Sequence, residues 1–388
     1  MTSTDHEIAA LLDALRSGED DWQTNPDTGI PHSAGIRLHS LLVRDQAIRE
    51  AFDDRYQWHG RGCSRVSLKM LRDWLSKVTT EKGGEAAVSA LRRYLEHETQ
   101  QLHVVMLLAG ARTEPGSEFA LGNGVRLVSQ ERLPFERFRR NWFPSSVSSS
   151  ISCGLVRTVE VPRAHTKTAD SAPYNWDFSH EKNLEIARLS LAMCRIDGAK
   201  IAQIGTIVAP DDDVPSYGAQ AITRPNIQHL LIDRNFMDGE IARASTIFSR
   251  LSNLREPHLQ TTKLPIEKLS LAYNEGGVRG AEALRTALEL IFLTDNEVTE
   301  MSYRLGLRAA LFLSDDLTSR QKIFKDVKQS YSVCSKSVHR GMLPSKPAEL
   351  KLISETLELA RQALIRLLDV GSPSWHCVEL SGGNRFTF

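Results

Sequence analysis

Residues 330–341, with the sequence SYSVCSKSVHRG, bring one histidine, one thiol and two cations together within twelve residues. A histidine can exchange a proton near neutral pH, and a cation beside it can stabilise negative charge on a phosphate. Such a stretch fits a catalytic turn, a nucleic-acid contact or the polar end of a helix. His339, with Lys336 three residues earlier, is therefore the candidate catalytic pair.

The segment around this stretch is basic, although the whole chain balances 48 basic against 48 acidic residues. Between residues 318 and 346, seven basic residues stand against one acidic residue, a local net charge of +6. We expect part of this segment, and two arginines four residues apart on the preceding helix, to contact phosphates. The predicted RNA-binding residues are Arg340, Lys328, Lys325, Arg304 and Arg308. A basic helix end that compensates the macrodipole, or a solvated charged face, would explain the same pattern.

Cys334 is a further candidate catalytic residue in this stretch. Neighbouring cations lower the pKa of a thiol, so Cys334 beside Lys336 and His339 could act as a nucleophile. The alternative is an inert cysteine near the end of a helix.

The sequence predicts no metal and no cofactor. His59 with Cys63, and His376 with Cys377, each offer two ligands without a second pair. The five cysteines lie far apart and form no CxxC pair, which favours reduced thiols and a cytoplasmic location. No run approaches 18 apolar residues, and the acidic N-terminus is unlike a signal peptide, so we expect no membrane partner.

The elements that must position these residues are the helices of a C-terminal bundle, predicted over residues 224–370. Six segments there have apolar residues at helical spacing, with Gly, Pro, Asn or Asp between them. They are MDGEIARASTIFSRLSNL, PIEKLSLAYNE, GAEALRTALELIFLT, EMSYRLGLRAALFL, SRQKIFKDVKQSYSVCSKSV and PAELKLISETLELARQALIRLL. Each segment buries one apolar stripe against its neighbours, which predicts a helical bundle. Residues 371–388 are predicted to form a C-terminal tail.

The first 223 residues divide by pattern into two regions. Residues 1–112 have mostly helical apolar spacing and predict an N-terminal helical region. Residues 113–223 predict strands, since ALGNGVRLVS carries a hairpin signal, GLVRTVEVP alternates and AKIAQIGTIVAP is rich in β-branched residues. HEKNLEIARLSLAMCRI predicts a helix among them, while FPSSVSSSIS and APDDDVPSYG predict loops. The predicted fold class is mainly α with a smaller β-containing middle region (α+β).

The segments ALRTALELIFLTD, EMSYRLGLRAALFL and IFKDVKQSYSVCSKSVHRG resemble, in this order, the Apea-like subgroup of HEPN domains. The resemblance covers roughly residues 225–370. Those domains end in a turn of the form Tyr, two residues, Arg-Ser-Lys-x-x-His-Gly. The residues aligned with this turn are Tyr331, Ser335, Lys336, Val338, His339 and Gly341, with Arg340 inserted between His339 and Gly341. Glu289 and Glu300 stand at positions that are commonly acidic in these sequences.

The resemblance implies a metal-independent ribonuclease of defence or toxin type, working as a homodimer in which two copies of His339 meet. The decisive departure from the pattern is Cys334, which stands where the family has arginine. Ser332 and Val333 exclude the motif variants with longer spacing. A thiol offers neither positive charge nor a planar fork, and losing one such donor costs about 100- to 1000-fold in rate. We therefore expect weakened catalysis, or catalysis rewired through Lys336 or Arg340.

A competing function class is a non-catalytic module that keeps RNA binding and dimerisation. In that case residues 1–223 would recognise a protein partner. Whether the chain is an endoribonuclease depends on whether another cation replaces the missing arginine.

Overall fold

The computed structural model describes residues 1–17, 33–134, 151, 153–170, 172–194, 201–210, 214–215, 220–223, 234–294, 299–341 and 346–382. Within these ranges the chain forms thirteen α-helices and eleven β-strands. The strands are concentrated between the N-terminal and C-terminal helices. The predicted fold class, mainly α with a smaller β-containing middle region, is confirmed.

The N-terminal helices pack around a core of their own, which includes Phe52, Leu71 and Trp74. The helices are α1 Ser3–Ser17, α2 Ser33–Arg44, α3 Gln46–Phe52, α4 Leu68–Lys82 and α5 Gly84–Glu96. Strands β1 Arg55–His59 and β2 Gly62–Val66 form an antiparallel hairpin between α3 and α4. The Ser67 side chain accepts from the backbone N–H of Met70 and so begins α4.

The strands after α5 are β3 Thr99–Ala109, β4 Ala111–Arg112, β5 Glu118–Gly122, β6 Val125–Ser129, β7 Cys153–Pro162, β8 His165–Thr166, β9 Ala202–Pro210, β10 Gln220–Thr223 and β11 Arg234–Asn235. Six of them form the main antiparallel sheet, in the order β10-β9-β3-β7-β6-β5. Asn123 and Gly124 join β5 to β6 with φ of 49° and 73°, the positive values that a two-residue I′ turn requires. The predicted hairpin and the two further predicted strands are confirmed.

Strand β3 lies inside residues 1–112, where the sequence pattern predicted mostly helix, and so do β1, β2 and β4. Strand β3 pairs with β7 on one side and with β9 on the other, and its second half is buried on both faces. A central strand of this kind has a continuous apolar run, which periodicity cannot distinguish from a buried helix. The boundary between the first two regions stays a prediction.

In the described ranges, eight helices come after β8 in the chain, and their apolar side chains share one continuous core with the main sheet. They are α6 Ser179–Cys194, α7 Asp238–Ser252, α8 Glu256–Asn274, α9 Gly277–Phe292, α10 Met301–Leu313, α11 Leu317–Arg340, α12 Pro347–Val370 and α13 Trp375–Leu380. The helix predicted among the strands is confirmed as α6. Two loops were predicted, FPSSVSSSIS at residues 143–152 and APDDDVPSYG at residues 209–218. Most of each lies outside the described ranges.

Two boundaries in the bundle differ from the prediction. Helix α8 begins at Glu256 and continues through Pro265, where the pattern predicted a start. Buried Leu259 and Ile266 pack on both sides of the proline, and this packing offsets the lost backbone hydrogen bond. The helix predicted over residues 319–338 is confirmed as α11, which ends two residues later than predicted, at Arg340, because Gly341 adopts a left-handed conformation with φ of 63°. The turn that the resemblance implied therefore forms the last turns of this helix.

Helices α10 and α11, which carry most of the predicted site, approach each other closely at Gly306. A Cβ atom at this position would lie 2.8 Å from the carbonyl oxygen of Phe324 and 3.1 Å from its ring. Asp316 begins α11, since its side chain accepts from the backbone N–H of Ser319 at 2.7 Å. No helix in the described ranges has both the length and the apolarity needed to cross a bilayer.

Candidate functional site

His339 lies exposed at the C-terminal end of α11, against a guanidinium from α9. Nη1 of Arg285 is 3.3 Å from Nε2 of His339. A guanidinium can only donate, so this contact is a hydrogen bond when Nε2 carries the lone pair, and the proton of the neutral ring then lies on Nδ1. The contact places a permanent cation beside a nitrogen that can accept a proton.

Glu289 and Tyr331 hold Arg285 in this position. Nε of Arg285 donates to Oε1 of Glu289 at 2.9 Å, and the Tyr331 hydroxyl donates to the same oxygen at 2.7 Å. The guanidinium carbon also lies 5.4 Å from the centre of the Tyr331 ring, a cation–π distance. Burial, together with Glu289, raises the pKa of Tyr331 to about 12, so its hydroxyl remains a donor at neutral pH.

Cys334 lies on the buried side of α11 and is not accessible to solvent. Burial raises the pKa of its thiol to about 11, and the opposing effect of Arg285 is smaller. Of the two alternatives for Cys334, burial and the raised pKa favour the inert cysteine over a reactive, low-pKa thiol. Lys336 is two residues further along the helix and exposed, so the charge that was expected to activate the thiol lies on the other side of α11.

Arg285 was not among the site residues predicted from the sequence. Lys336 and Arg340 were predicted as replacements for the missing cation, because they are neighbours of His339 in the chain. Arg285 is 54 residues earlier, yet it is close enough to Cys334 to affect the thiol pKa. The available signal was the four-residue spacing of Arg285 and Glu289 on one helix face, but that spacing does not reveal which residue of α11 they meet.

The exposed face of α11 is basic and ends at His339. Lys325, Lys328, Lys336 and His339 are all exposed, at spacings that place them on one side of the helix. We call Lys325, Lys328 and Lys336 the basic stripe. Within the described ranges, Lys325 and Lys336 have no hydrogen-bonding or ionic partner, and the ammonium of Lys328 lies 5.6 Å from the centre of the Phe324 ring. Arg340 is exposed beside the stripe.

Of the two predicted arginines on α10, Arg304 is half-buried, whereas Arg308 is only 2% exposed. Nε of Arg308 donates to Glu379 at 2.7 Å, and Nη1 donates to the carbonyl of Phe292 at 2.7 Å. Its guanidinium also lies 5.9 Å from the Trp375 ring centre. Arg308 is therefore a core residue that ties α10 to α9 and α13, and the expectation that it contacts RNA is wrong.

No family model, curated protein or solved structure gives a significant match to this chain. The resemblance to HEPN sequences thus rests on the residues quoted above. In the described parts of the chain, no group of three or more histidine, cysteine or acidic side chains could hold a metal ion.

Proposed function

We propose that this protein is an RNA-directed protein of HEPN type whose C-terminal bundle cuts RNA without a metal, with Arg285 in place of the motif arginine. The observation that supports this proposal is the 3.3 Å contact between Arg285 and His339. An arginine supplies a planar fork suited to two phosphate oxygens, and a histidine can transfer the proton. Cys334 alone supplies neither function.

The proposed reaction begins when a phosphate draws the Arg285 guanidinium away from Nε2 of His339. The free Nε2 takes the proton of the 2′-hydroxyl, and the 2′-oxygen attacks phosphorus. The bond from phosphorus to the 5′-oxygen breaks, and the leaving oxygen takes a proton from Lys336, one helical turn before His339. The products are a 2′,3′-cyclic phosphate and a 5′-hydroxyl, and no co-reactant is consumed.

A homodimer is part of this proposal, because the resemblance implies that two copies of His339 meet. In the single chain His339 is exposed, which is compatible with such an arrangement. Residues 1–223 would then be available for a protein partner.

The test is incubation of the purified full chain with mixed RNA in EDTA. We expect cleavage with 2′,3′-cyclic phosphate ends, abolition by His339→Ala, and a reduction of about 100- to 1000-fold by Arg285→Ala. Lys69→Ala, which removes an exposed cation of the N-terminal helices, is a control for general loss of basic charge. Cleavage that needs added magnesium, or that persists in His339→Ala, would contradict the mechanism.

A second candidate function, RNA binding without cleavage, is favoured by the exposed basic stripe. If the stripe and Arg340 contact phosphates, affinity falls with salt by a log–log slope of roughly −0.7 for each contact on single strands. Lys336→Ala with Arg340→Ala should flatten that slope by about one to one and a half units. A matched control replaces Arg49 and Lys69, two exposed cations of the N-terminal helices. An unchanged salt slope in the folded Lys336/Arg340 variant would show that these two side chains face solvent and do not contact phosphates.

A further inference from the structure

An exposed aromatic pair lies beside the basic stripe, at the end away from His339. Tyr303 of α10 is 47% exposed and contacts Phe324 of α11, with ring centres 5.5 Å apart. The angle of 78° between the rings means that they are not stacked, so Phe324 leaves at least one face of the Tyr303 ring uncovered.

The packing of α10 on α11 fixes the place of this pair. Gly306, one turn after Tyr303, lets the backbone and ring of Phe324 approach α10. The ammonium of Lys328 lies 5.6 Å from the centre of the Phe324 ring. An aromatic side chain that is 47% exposed and a cation therefore occupy the same small surface.

The charge of the neighbourhood suits a polyanion. Asp326, the acidic residue of this part of α11, accepts from Lys322 at 3.0 Å and lies away from the stripe. Glu300 is exposed near the start of α10, but the three lysines of the stripe and Arg340 outnumber it. A flat aromatic face next to a line of cations matches how single-stranded RNA is held, with bases stacked on rings and phosphates on basic side chains.

We propose that Tyr303 is a stacking subsite for an unpaired RNA base, and that the RNA strand runs from there along the basic stripe to His339. This inference deepens the proposed function by assigning a contact to the substrate of the same site. From Lys325 to His339 the helix rises about 21 Å. The stacked base is thus several nucleotides from the phosphate at His339.

The test uses the full chain with His339→Ala, so that RNA stays intact and the result does not depend on catalysis. The probe is a single-stranded RNA of twelve uridines in which one base is replaced by fluorescent 2-aminopurine. Stacking on Tyr303 should quench its fluorescence, and Tyr303→Leu should remove the quenching and weaken binding by roughly 5- to 150-fold. Tyr303→Phe should keep both quenching and affinity, because stacking needs the ring and not the hydroxyl.

The control is Phe178→Ala, since Phe178 is another exposed aromatic residue with a cation, Arg61, 5.1 Å from its ring centre. We expect this variant to bind the RNA as the parent does. Equal affinity and equal quenching in the parent and in a folded Tyr303→Leu variant would overturn the proposal. Loss in Tyr303→Phe as large as in Tyr303→Leu would also overturn it. Absence of cleavage in the wild type would contradict the proposed function and leave this measurement unaffected.

Discussion

At the scale of single residues, the Glu289 carboxylate positions the guanidinium of Arg285. Its Oε1 accepts both from Nε of Arg285 and from the Tyr331 hydroxyl, so the guanidinium is held with an Nη group toward His339. Losing a hydrogen bond to a charged group costs about 1.5–3 kcal/mol, or about 10- to 150-fold in rate. We expect Glu289→Ala to lower kcat for RNA cleavage by that factor and to leave RNA affinity nearly unchanged. Affinity that falls as much as kcat would show that Glu289 acts through binding.

Cys334 should be dispensable for chemistry. Its thiol is buried with a pKa raised to about 11, so almost none of it is thiolate at neutral pH. Cys334→Ala should keep RNA cleavage, and iodoacetamide should not inhibit the folded wild type. Loss of RNA cleavage in a folded Cys334→Ala variant would show that Cys334 takes part in the reaction.

Arg308 should matter for stability and not for RNA. Removing it leaves the carboxylate of Glu379 and the carbonyl of Phe292 without their donor, and breaking a buried ion pair costs about 3–5 kcal/mol. We expect Arg308→Ala to lower the free energy of unfolding by about 3 kcal/mol, the low end of that range, because Glu379 is partly exposed. The salt dependence of RNA binding should be unchanged under conditions where the variant is folded. A smaller salt dependence of RNA affinity in this variant would show that Arg308 contacts RNA.

Arg308 and Arg285 show what a single sequence conveys about a site and what it does not. His339, Lys336, Lys325 and Lys328 were predicted within one helix, where the spacing alone fixes which residues share a face. Arg308 was misplaced because its spacing from Arg304 gives a shared face but not whether that face is covered. Arg285 was missed because its contact with His339 depends on the register of two helices, which side-chain packing sets.

At the scale of elements, the close approach of α10 and α11 depends on Gly306. A methyl group there would meet the carbonyl oxygen of Phe324 at 2.8 Å, and backbone cannot move aside cheaply. We expect Gly306→Ala to lower the free energy of unfolding by about 1–3 kcal/mol, as overpacking does. Gly239→Ala is the matched control, since Gly239 lies in α7 with open space around it, and alanine there should stabilise by up to about 1 kcal/mol. Equal effects of the two substitutions would contradict close packing at Gly306.

The elements that were predicted correctly carry their own local signals. The hairpin of β5 and β6 was found because Asn123 and Gly124 adopt positive φ readily. Strand β3 was missed because a strand buried on both faces shows no alternation of apolar and polar residues. The start of α8 was predicted at Pro265, nine residues too late, because a proline interrupts a helix only where packing does not compensate for the lost hydrogen bond. Pairing and packing between distant segments decided both cases.

At the scale of the whole molecule, the N-terminal helices have a core separate from the one that joins the sheet to the C-terminal helices. A polar cluster lies at the edge of the N-terminal core. The amide of Gln57 donates to the Tyr94 hydroxyl at 2.6 Å, and that hydroxyl lies 3.2 Å from Nε2 of His165. His59 is also buried, two residues after Gln57 in β1. The acid stability of this part of the chain therefore depends on two histidines, of which His59 is buried and His165 is half-buried.

Acid should unfold the N-terminal core before the C-terminal bundle. Burial lowers the pKa of His59 to about 4, and burial with the nearby charge of Arg163 lowers that of His165 to about 3. An unfolded histidine titrates near 6.5, so the unfolded state binds more protons below that pH, and stability is lost as pH falls from about 6.5 toward 3. By pH 5 each histidine should cost roughly 2 kcal/mol. Hydrogen exchange followed by mass spectrometry should show β1 and α5 losing protection at pH 5 while α11 keeps it. His59→Gln and His165→Gln should each flatten the pH dependence of protection, and unchanged acid sensitivity in both would contradict this assignment.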